Sequence, residues 1–390
     1  MNKSQSKSND QIIGIDIIRF LAAMLVLLYH SSYTGWAIKD SSLQKLTGES
    51  YSFPEIAQFS WWGWVGVEIF FVISGFVIAY SALKSTPINF AISRAVRLYP
   101  GAWICATISL LITLALVNHK NPIFIEQYIR SITISPFGPW IDGAYWTLGV
   151  EIAFYTSILI VIQIFGAKRL YHATAFIGLA SVAFYAFLLG MLAHKDFQTV
   201  INLVTSTRII NLSLLGHGVF FALGALIQKS SHSKLNNAEK VLATLFTFFC
   251  IIEIYLTSAI KFHIELDNRN HVYGAIPALA WCLCIYLISK ATRDNEIWGK
   301  YLSPSISRRV GLITYPLYLS HTTLVGVILF LAFQFDINKW IALITSAIVV
   351  LVISDALAQR IEHPLQNWLR IVLLKRFPSQ THPVQAQQNQ

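Results

Sequence analysis

The chain has 390 residues, of which 55% are hydrophobic and only 12% charged, with a formal net charge of +10 and a mean hydropathy of +0.56. A soluble domain carries about 25% charged residues, so the composition excludes a water-soluble globular enzyme and describes an all-α, polytopic membrane bundle. The basic balance invites a nucleic-acid reading, but the Lys and Arg residues are spread between apolar runs, so no nucleic-acid partner is expected.

Ten hydrophobic spans are predicted, at 12–30, 62–83, 98–117, 146–165, 172–193, 211–228, 239–259, 273–292, 309–332 and 339–360. Residues 1–11 form a polar tail ahead of them. Lys3 and Lys7 before an apolar run resemble a signal peptide, but the run holds Asp16 and Arg19 and lacks a small-x-small cleavage site. It is read as the first span. Ionisable groups in a lipid-spanning segment cost several kcal/mol and are functional by default. Helical rise puts His30 about 21 Å beyond Asp16, roughly two-thirds of the way across a layer about 30 Å thick. A histidine at that depth is a candidate proton handler.

The second span carries Glu68, four to seven residues inward from Trp61 and Trp64. The run S-R-A-V-R-L-Y-P places Arg94 and Arg97 on one helix face at the start of the third span, where a helix N-terminus adds positive potential. Two guanidinium forks there suit a phosphorylated ligand, although the pair alone fits plain positive-inside anchoring better. The fourth span carries Glu151 five residues past Trp146, and the sixth carries His217. Cys105, Cys250, Cys282 and Cys284 all lie in apolar stretches and read as small buried hydrophobes, so no metal site is expected. The ninth span brings His321 about 18 Å above the inner face.

By helical rise, His30, Glu68, Glu151, His217 and His321 share one layer in the outer half of the bilayer, the composition of a buried acid/base site. His217 fits a backbone-bonded membrane histidine equally well, and Glu68 fits a structural ion pair better than a catalytic role. Glu253 and Asp355 are further acids without an assigned role. The chain closes on a polar tail, 366–390, whose last twelve residues read as disordered. With both termini cytoplasmic, the Lys and Arg residues divide 20 inside to 9 outside, which explains the positive charge as topology. Trp61, Trp62, Trp64, Trp140, Trp146 and Trp340 then mark the outer interface.

Taken together these residues resemble the acyltransferase 3 family of bacterial membrane acyltransferases. The first span is similar to its G-x-D-x-x-R-x(10)-H pattern, with Gly14, Asp16, Arg19 and His30. Phe70, Phe71, Ser74, Gly75 and Phe76 match F-F-x-x-S-G-F, and Arg94 and Arg97 match R-x-x-R. Trp146, Glu151, Phe154 and Tyr155 match W-x-L-x-x-E-x-x-F-Y. The run T-Y-P-L-Y-L-S-H over Thr314–His321, which includes Tyr315, is similar to S-Y-x-x-Y-L-x-H with Thr in place of Ser, and Glu362 and Pro364 match a terminal E-x-P. Any one match is weak; the ordered set, running over nearly the whole chain, is specific.

The resemblance implies a transmembrane domain over 12–365 in the bacterial inner membrane. It implies acyl transfer, usually of acetyl, from cytosolic acyl-CoA to a hydroxyl of an exported carbohydrate such as lipopolysaccharide O-antigen or exopolysaccharide. Acyl-CoA is then a co-substrate and no cofactor is held permanently; the acceptor is lipid-linked or polymeric. Many relatives carry a further esterase-like domain, so this chain reads as a stand-alone member. Arg94, Arg97 and Arg19 would hold the CoA phosphates, and His30 would act as base or acyl carrier. Glu151 would orient its ring, and His321 would donate to the oxyanion. Asp16, Glu68, Ser74, Trp146, Tyr155 and Tyr315 would support them. Rival readings are a secondary transporter and a polysaccharide flippase or export partner.

Overall fold

A computed structural model of the chain describes residues 12–38, 41, 44, 51–116, 123–194, 208–266, 275–294, 298–300 and 303–378. The expected tail 1–11 and the expected disordered stretch 379–390 lie outside them. Among the described residues all regular structure is helical. The long helices are α1 (Ile13–Tyr29), α2 (Gly66–Leu83), α3 (Pro87–Leu116), α4 (Ile123–Ile132), α5 (Trp146–Ile164) and α6 (Leu170–His194). They continue as α7 (Gly218–His232), α8 (Asn237–Leu266), α9 (Ala275–Arg293), α10 (Pro304–Gln334), α11 (Lys339–Leu357) and α12 (His363–Arg376).

Nine helical stretches among the described residues are long and apolar enough to cross a bilayer. The sixth of the ten expected spans is the exception. Its first residues, 211–217, do not join a long helix: the chain turns at Leu214, whose φ is +64°. Beyond that turn lies the 15-residue α7, about 22 Å long at helical rise and shorter than the hydrocarbon layer. Every α7 residue from Gly218 to Gln228 is buried. It packs on α2, α6 and α8 rather than facing outward.

The centre of the bundle is α1, α2, α7 and α10. Without a hydrophobic drive between helices in lipid, close backbone approach supplies the attraction, and that requires small residues. Gly75 of α2 and Gly224 of α7 do this reciprocally. A Cβ on Gly75 would sit 2.1 Å from the Phe221 carbonyl oxygen, and one on Gly224 would sit 2.0 Å from that of Val72. On the other side α1 packs against α10 and α2. Outer helices present Phe176, Leu283 and Val352 to the surroundings, as a lipid-facing surface requires.

Three further local findings differ from expectation. Helix α3 starts at Pro87, not near residue 98, so Arg94 and Arg97 are its eighth and eleventh residues. They lie beyond the first turn, where the helix-terminus potential fades. Helix α12 occupies His363–Arg376, all but its first three residues inside the segment expected to be tail. Trp61 and Trp64, expected near the outer interface, are buried among other side chains.

Candidate functional site

Helix α1 does not stop at His30. It loosens into a π turn over His30–Thr34, which is helical but wider by one residue per hydrogen-bonded ring. Such insertions re-aim side chains. Here the Thr34 hydroxyl donates to the His30 carbonyl oxygen at 3.1 Å. Having given its proton away, Thr34 Oγ1 accepts from His30 Nδ1 at 3.3 Å. His30 therefore carries its ring proton on Nδ1 and a lone pair on Nε2. The His321 ring lies 4.9 Å away, centroid to centroid, tilted by 55°. His321 Nδ1 donates to the Tyr318 carbonyl oxygen at 2.8 Å, so its neutral ring also keeps the lone pair on Nε2. The oxyanion-donor role expected of His321 requires a protonated ring.

His30 lines a cavity of about 1,380 Å³, together with Trp64, Glu68, Trp146, His217, Glu253 and Lys261. Glu151 does not join them. It lines a separate cavity of about 770 Å³, where Ser74 Oγ donates to Oε1 at 2.5 Å and Tyr155 Oη donates to Oε2 at 2.9 Å. The same cavity receives Arg19, Arg94, Arg97 and Tyr315. The acid/base layer expected from sequence thus divides in two, with Glu151 on the side of the arginines. Helical rise gives depth along an axis but not the side of the bundle on which a group falls. Val67 of α2 borders both cavities. At the start of α5, Trp146 faces the His30 cavity while Thr147 and Leu148 face the arginine cavity.

The arginine cavity is held by a chain of contacts. Arg97 stacks over Tyr315 at 4.6 Å and lies 3.5 Å from Glu362, the last residue of a second π turn over Ala358–Glu362. Tyr315 Oη donates to the Leu98 carbonyl at 2.7 Å, which ties α10 to α3. Arg94 lies 6.0 Å from the Tyr155 ring. Arg19 reaches Asp16 at 3.5 Å, and Asp16 packs against Gly311. Arg19, Ser74, Arg94, Arg97, Glu151, Tyr155 and Tyr315 line the arginine cavity, His30, Glu68 and Trp146 line the other, and Asp16 and His321 lie beside them against Arg19 and His30, whereas Asp355 pairs with Arg309 away from both. The F-F-x-x-S-G-F run makes physical sense: Ser74 reaches Glu151 and Gly75 admits α7.

Sequence reasoning missed Thr34 and Asp142. Asp142 is buried; its Oδ1 accepts from the Ala144 amide at 2.9 Å and its Oδ2 from Thr323 Oγ1 at 2.9 Å. It caps the turn leading into α5 and fixes α10 two residues past His321. The capping half was visible as an Asp ahead of a helix; the contact with Thr323, 181 residues away, was not. Arg208 acts similarly, donating to the carbonyl oxygens of Trp146 at 2.6 Å and Pro136 at 2.9 Å.

A family model described as an acyltransferase domain matches residues 12–359. A protein of Staphylococcus aureus (strain COL), named a "putative O-acetyltransferase", is 23% identical over 356 residues, covering 84% of this chain and 54% of the relative. The chain thus spans about half the length of the curated relative it matches. No solved structure matches it. With the family model running through every helix from α1 to α11, and the motif residues gathered at two adjoining cavities, the chain belongs to the acyltransferase 3 family.

Proposed function

We propose that this protein is a multi-pass inner-membrane O-acyltransferase that moves an acyl group, acetyl in the first instance, from cytosolic acyl-CoA to a hydroxyl of an exported or cell-surface carbohydrate. The observation that carries the reading is the pair of cavities on either side of Val67. One gathers three arginines; the other holds a histidine whose Nε2 lone pair is free to react. Guanidinium groups bind phosphate bidentately, so the arginine cavity suits the anionic end of CoA. Arg97 and Arg94 make the phosphate contacts, with Arg19 beneath them. Stacking on Tyr315 and pairing with Glu362 hold the Arg97 guanidinium in place. The cavity around His30 suits a sugar. Trp64 and Trp146 give ring faces for apolar sugar edges, and Glu68, His217 and Glu253 offer polar atoms to hydroxyls.

In direct transfer, His30 Nε2 takes the proton from the acceptor hydroxyl as its oxygen attacks the thioester carbonyl carbon. The C–S bond then breaks, the acyl–oxygen ester remains, and the imidazolium returns its proton to the leaving thiolate to give CoA-SH. In the stepwise course, Nε2 attacks the thioester carbonyl carbon and the C–S bond breaks to release the thiolate; the acceptor oxygen then attacks the acyl carbon as its proton passes to His321, the C–N bond breaks to restore neutral His30, and that proton ends on the thiolate as CoA-SH. Both courses need the same lone pair, and Thr34 secures it. His321, its ring beside that of His30, takes a proton only in the stepwise course, from the acceptor hydroxyl. The Ser74–Glu151–Tyr155 cluster balances the arginines rather than orienting His30.

Mass spectrometry of surface glycans from cells with and without this protein tests the reading. An ester-linked acyl group, removed by mild base, is expected only with the protein. Identical glycans, with no acyl transfer from acyl-CoA in isolated membranes, would overturn it.

A further inference from the structure

Three side chains from three parts of the chain converge in the His30 cavity: Glu68 from α2, His217 at the start of α7 and Glu253 from α8. One oxygen or nitrogen from each lies within 4.8 Å of the other two. His217 Nδ1 is 3.5 Å from Glu68 Oε2. All three residues are more than nine-tenths buried, at 3%, 7% and 2% exposure. Yet Glu68 Oε2, His217 Nδ1 and Glu253 Oε2 each lack a hydrogen-bond partner.

That combination calls for an explanation. Buried polar atoms are normally satisfied, and two carboxylates buried in one cavity repel each other and lose solvation, even with Lys261 on the same cavity wall. The side chains are also held. The His217 ring packs between Phe71 at 4.9 Å and Trp146 at 5.7 Å. Thr257 Oγ1 donates to Glu253 Oε1 at 2.9 Å, which leaves Oε2 as the free oxygen. Lys261 lines the same cavity, but its ammonium lies over the Tyr29 and Trp64 rings and donates to Tyr29 Oη.

We propose that Glu68, His217 and Glu253 form a binding site for a divalent transition-metal cation of the zinc or manganese class. One imidazole and two carboxylates are the donor types such ions take, at about 2.0–2.2 Å. A tetrahedral ion at those distances draws its ligand atoms to about 3.4 Å apart, a contraction of little more than about 1 Å from the present spacing. The ion cancels both carboxylate charges and satisfies all three orphaned atoms at once. Three protein ligands leave a coordination position open to the cavity, as in sites where a metal meets a substrate oxygen. An acceptor hydroxyl held there would share the cavity with His30. That role rests on the acyl-transfer reading; cation binding does not.

The experiment uses the purified full-length chain with its affinity tag removed. Protein stripped with EDTA is titrated calorimetrically with ZnCl2 and, separately, MnCl2, and unstripped protein is analysed for metal content. About one equivalent of one of these ions should bind. Glu253→Gln and His217→Gln should each weaken binding by about 10- to 100-fold, while Glu55→Gln, outside the cavity, leaves it unchanged. Wild-type protein that binds neither ion up to about 100 μM overturns the proposal, and this result does not depend on any variant folding. Variants that elute as monodisperse protein and bind like wild type overturn it as well. A chain that binds its cation but transfers no acyl group leaves the site standing and refutes only the transfer reading.

Discussion

At the scale of single residues, the reactive centre depends on where one proton sits. Thr34 gives its own proton to the His30 carbonyl and so must accept from Nδ1. Thr34→Val removes that acceptor and frees the ring to place its proton on Nε2. A drop of about 10- to 100-fold in kcat is expected, part of the roughly 100- to 10,000-fold that a positioned general base contributes, with KM for acyl-CoA little changed. Thr34→Ser should restore most of it. An unaltered kcat in Thr34→Val would show that the hydroxyl does not position the ring. The arginines make the complementary prediction. Replacing both Arg94 and Arg97 with Gln should raise KM for acetyl-CoA by about 10- to 150-fold, the equivalent of about 1.5–3 kcal/mol for a charged hydrogen bond. Titration of the donor on purified protein measures it, and an unchanged value would reduce the arginines to topology anchors. His30 and His321 were legible as groups at one depth, because the rise of their helices can be counted; that their rings touch is a matter of lateral packing. The cavity to which Glu151 belongs was not legible: counting turns could not tell that Ser74 and Tyr155 hold it on the far side of α2.

At the scale of elements, the contact that fixes the site is the crossing of α2 and α7. Ser74 faces Glu151 while Gly75 meets the Phe221 backbone, so adjacent residues serve the site and the scaffold. Gly75→Val would drive a branched side chain into a carbonyl oxygen that cannot move without shifting α7. A destabilisation of about 1–3 kcal/mol or more is expected, read as a lowered melting temperature of detergent-solubilised protein and loss of monodispersity. A Gly75→Val protein with wild-type melting would mean that the two helices are not this close. The same crossing explains why α7 was misread from sequence. Its apolar residues suggested a span of ordinary length over 211–228, but the helix is only 15 residues long and is apolar all round because it is enclosed by protein. The two π turns were illegible for a different reason. Nothing in H-S-S-Y-T or A-Q-R-I-E disfavours an ordinary α turn locally, and the Arg97–Glu362 contact at the second turn joins residues 265 positions apart.

At the scale of the molecule, the proposed reaction brings two substrates to one wall from different cavities. Counting the short α7 as a crossing, which keeps ten, the charge division of 20 to 9 predicts that the arginine side faces the cytoplasm. Cysteine labelling checks this in a background lacking Cys105, Cys250, Cys282 and Cys284. A cysteine at Ser85, between α2 and α3, or at Phe377, past α12, should react with a membrane-impermeant reagent only after lysis. One at Glu55, which precedes α2, should react in intact cells. The reverse pattern would invert the topology and deny the arginine cavity its cytosolic donor. Composition and motif order made the architecture and family legible over almost the whole chain; the division into two cavities is a property of lateral packing that no spacing along the sequence encodes.

The most direct measurement is acyl transfer by His30→Ala. Membranes carrying equal amounts of folded wild-type or variant protein are supplied with labelled acetyl-CoA and the carbohydrate fraction is counted. Wild type should incorporate base-labile label and His30→Ala should incorporate none above membranes lacking the protein. Wild-type incorporation by His30→Ala would contradict the assignment of His30 as the reacting group.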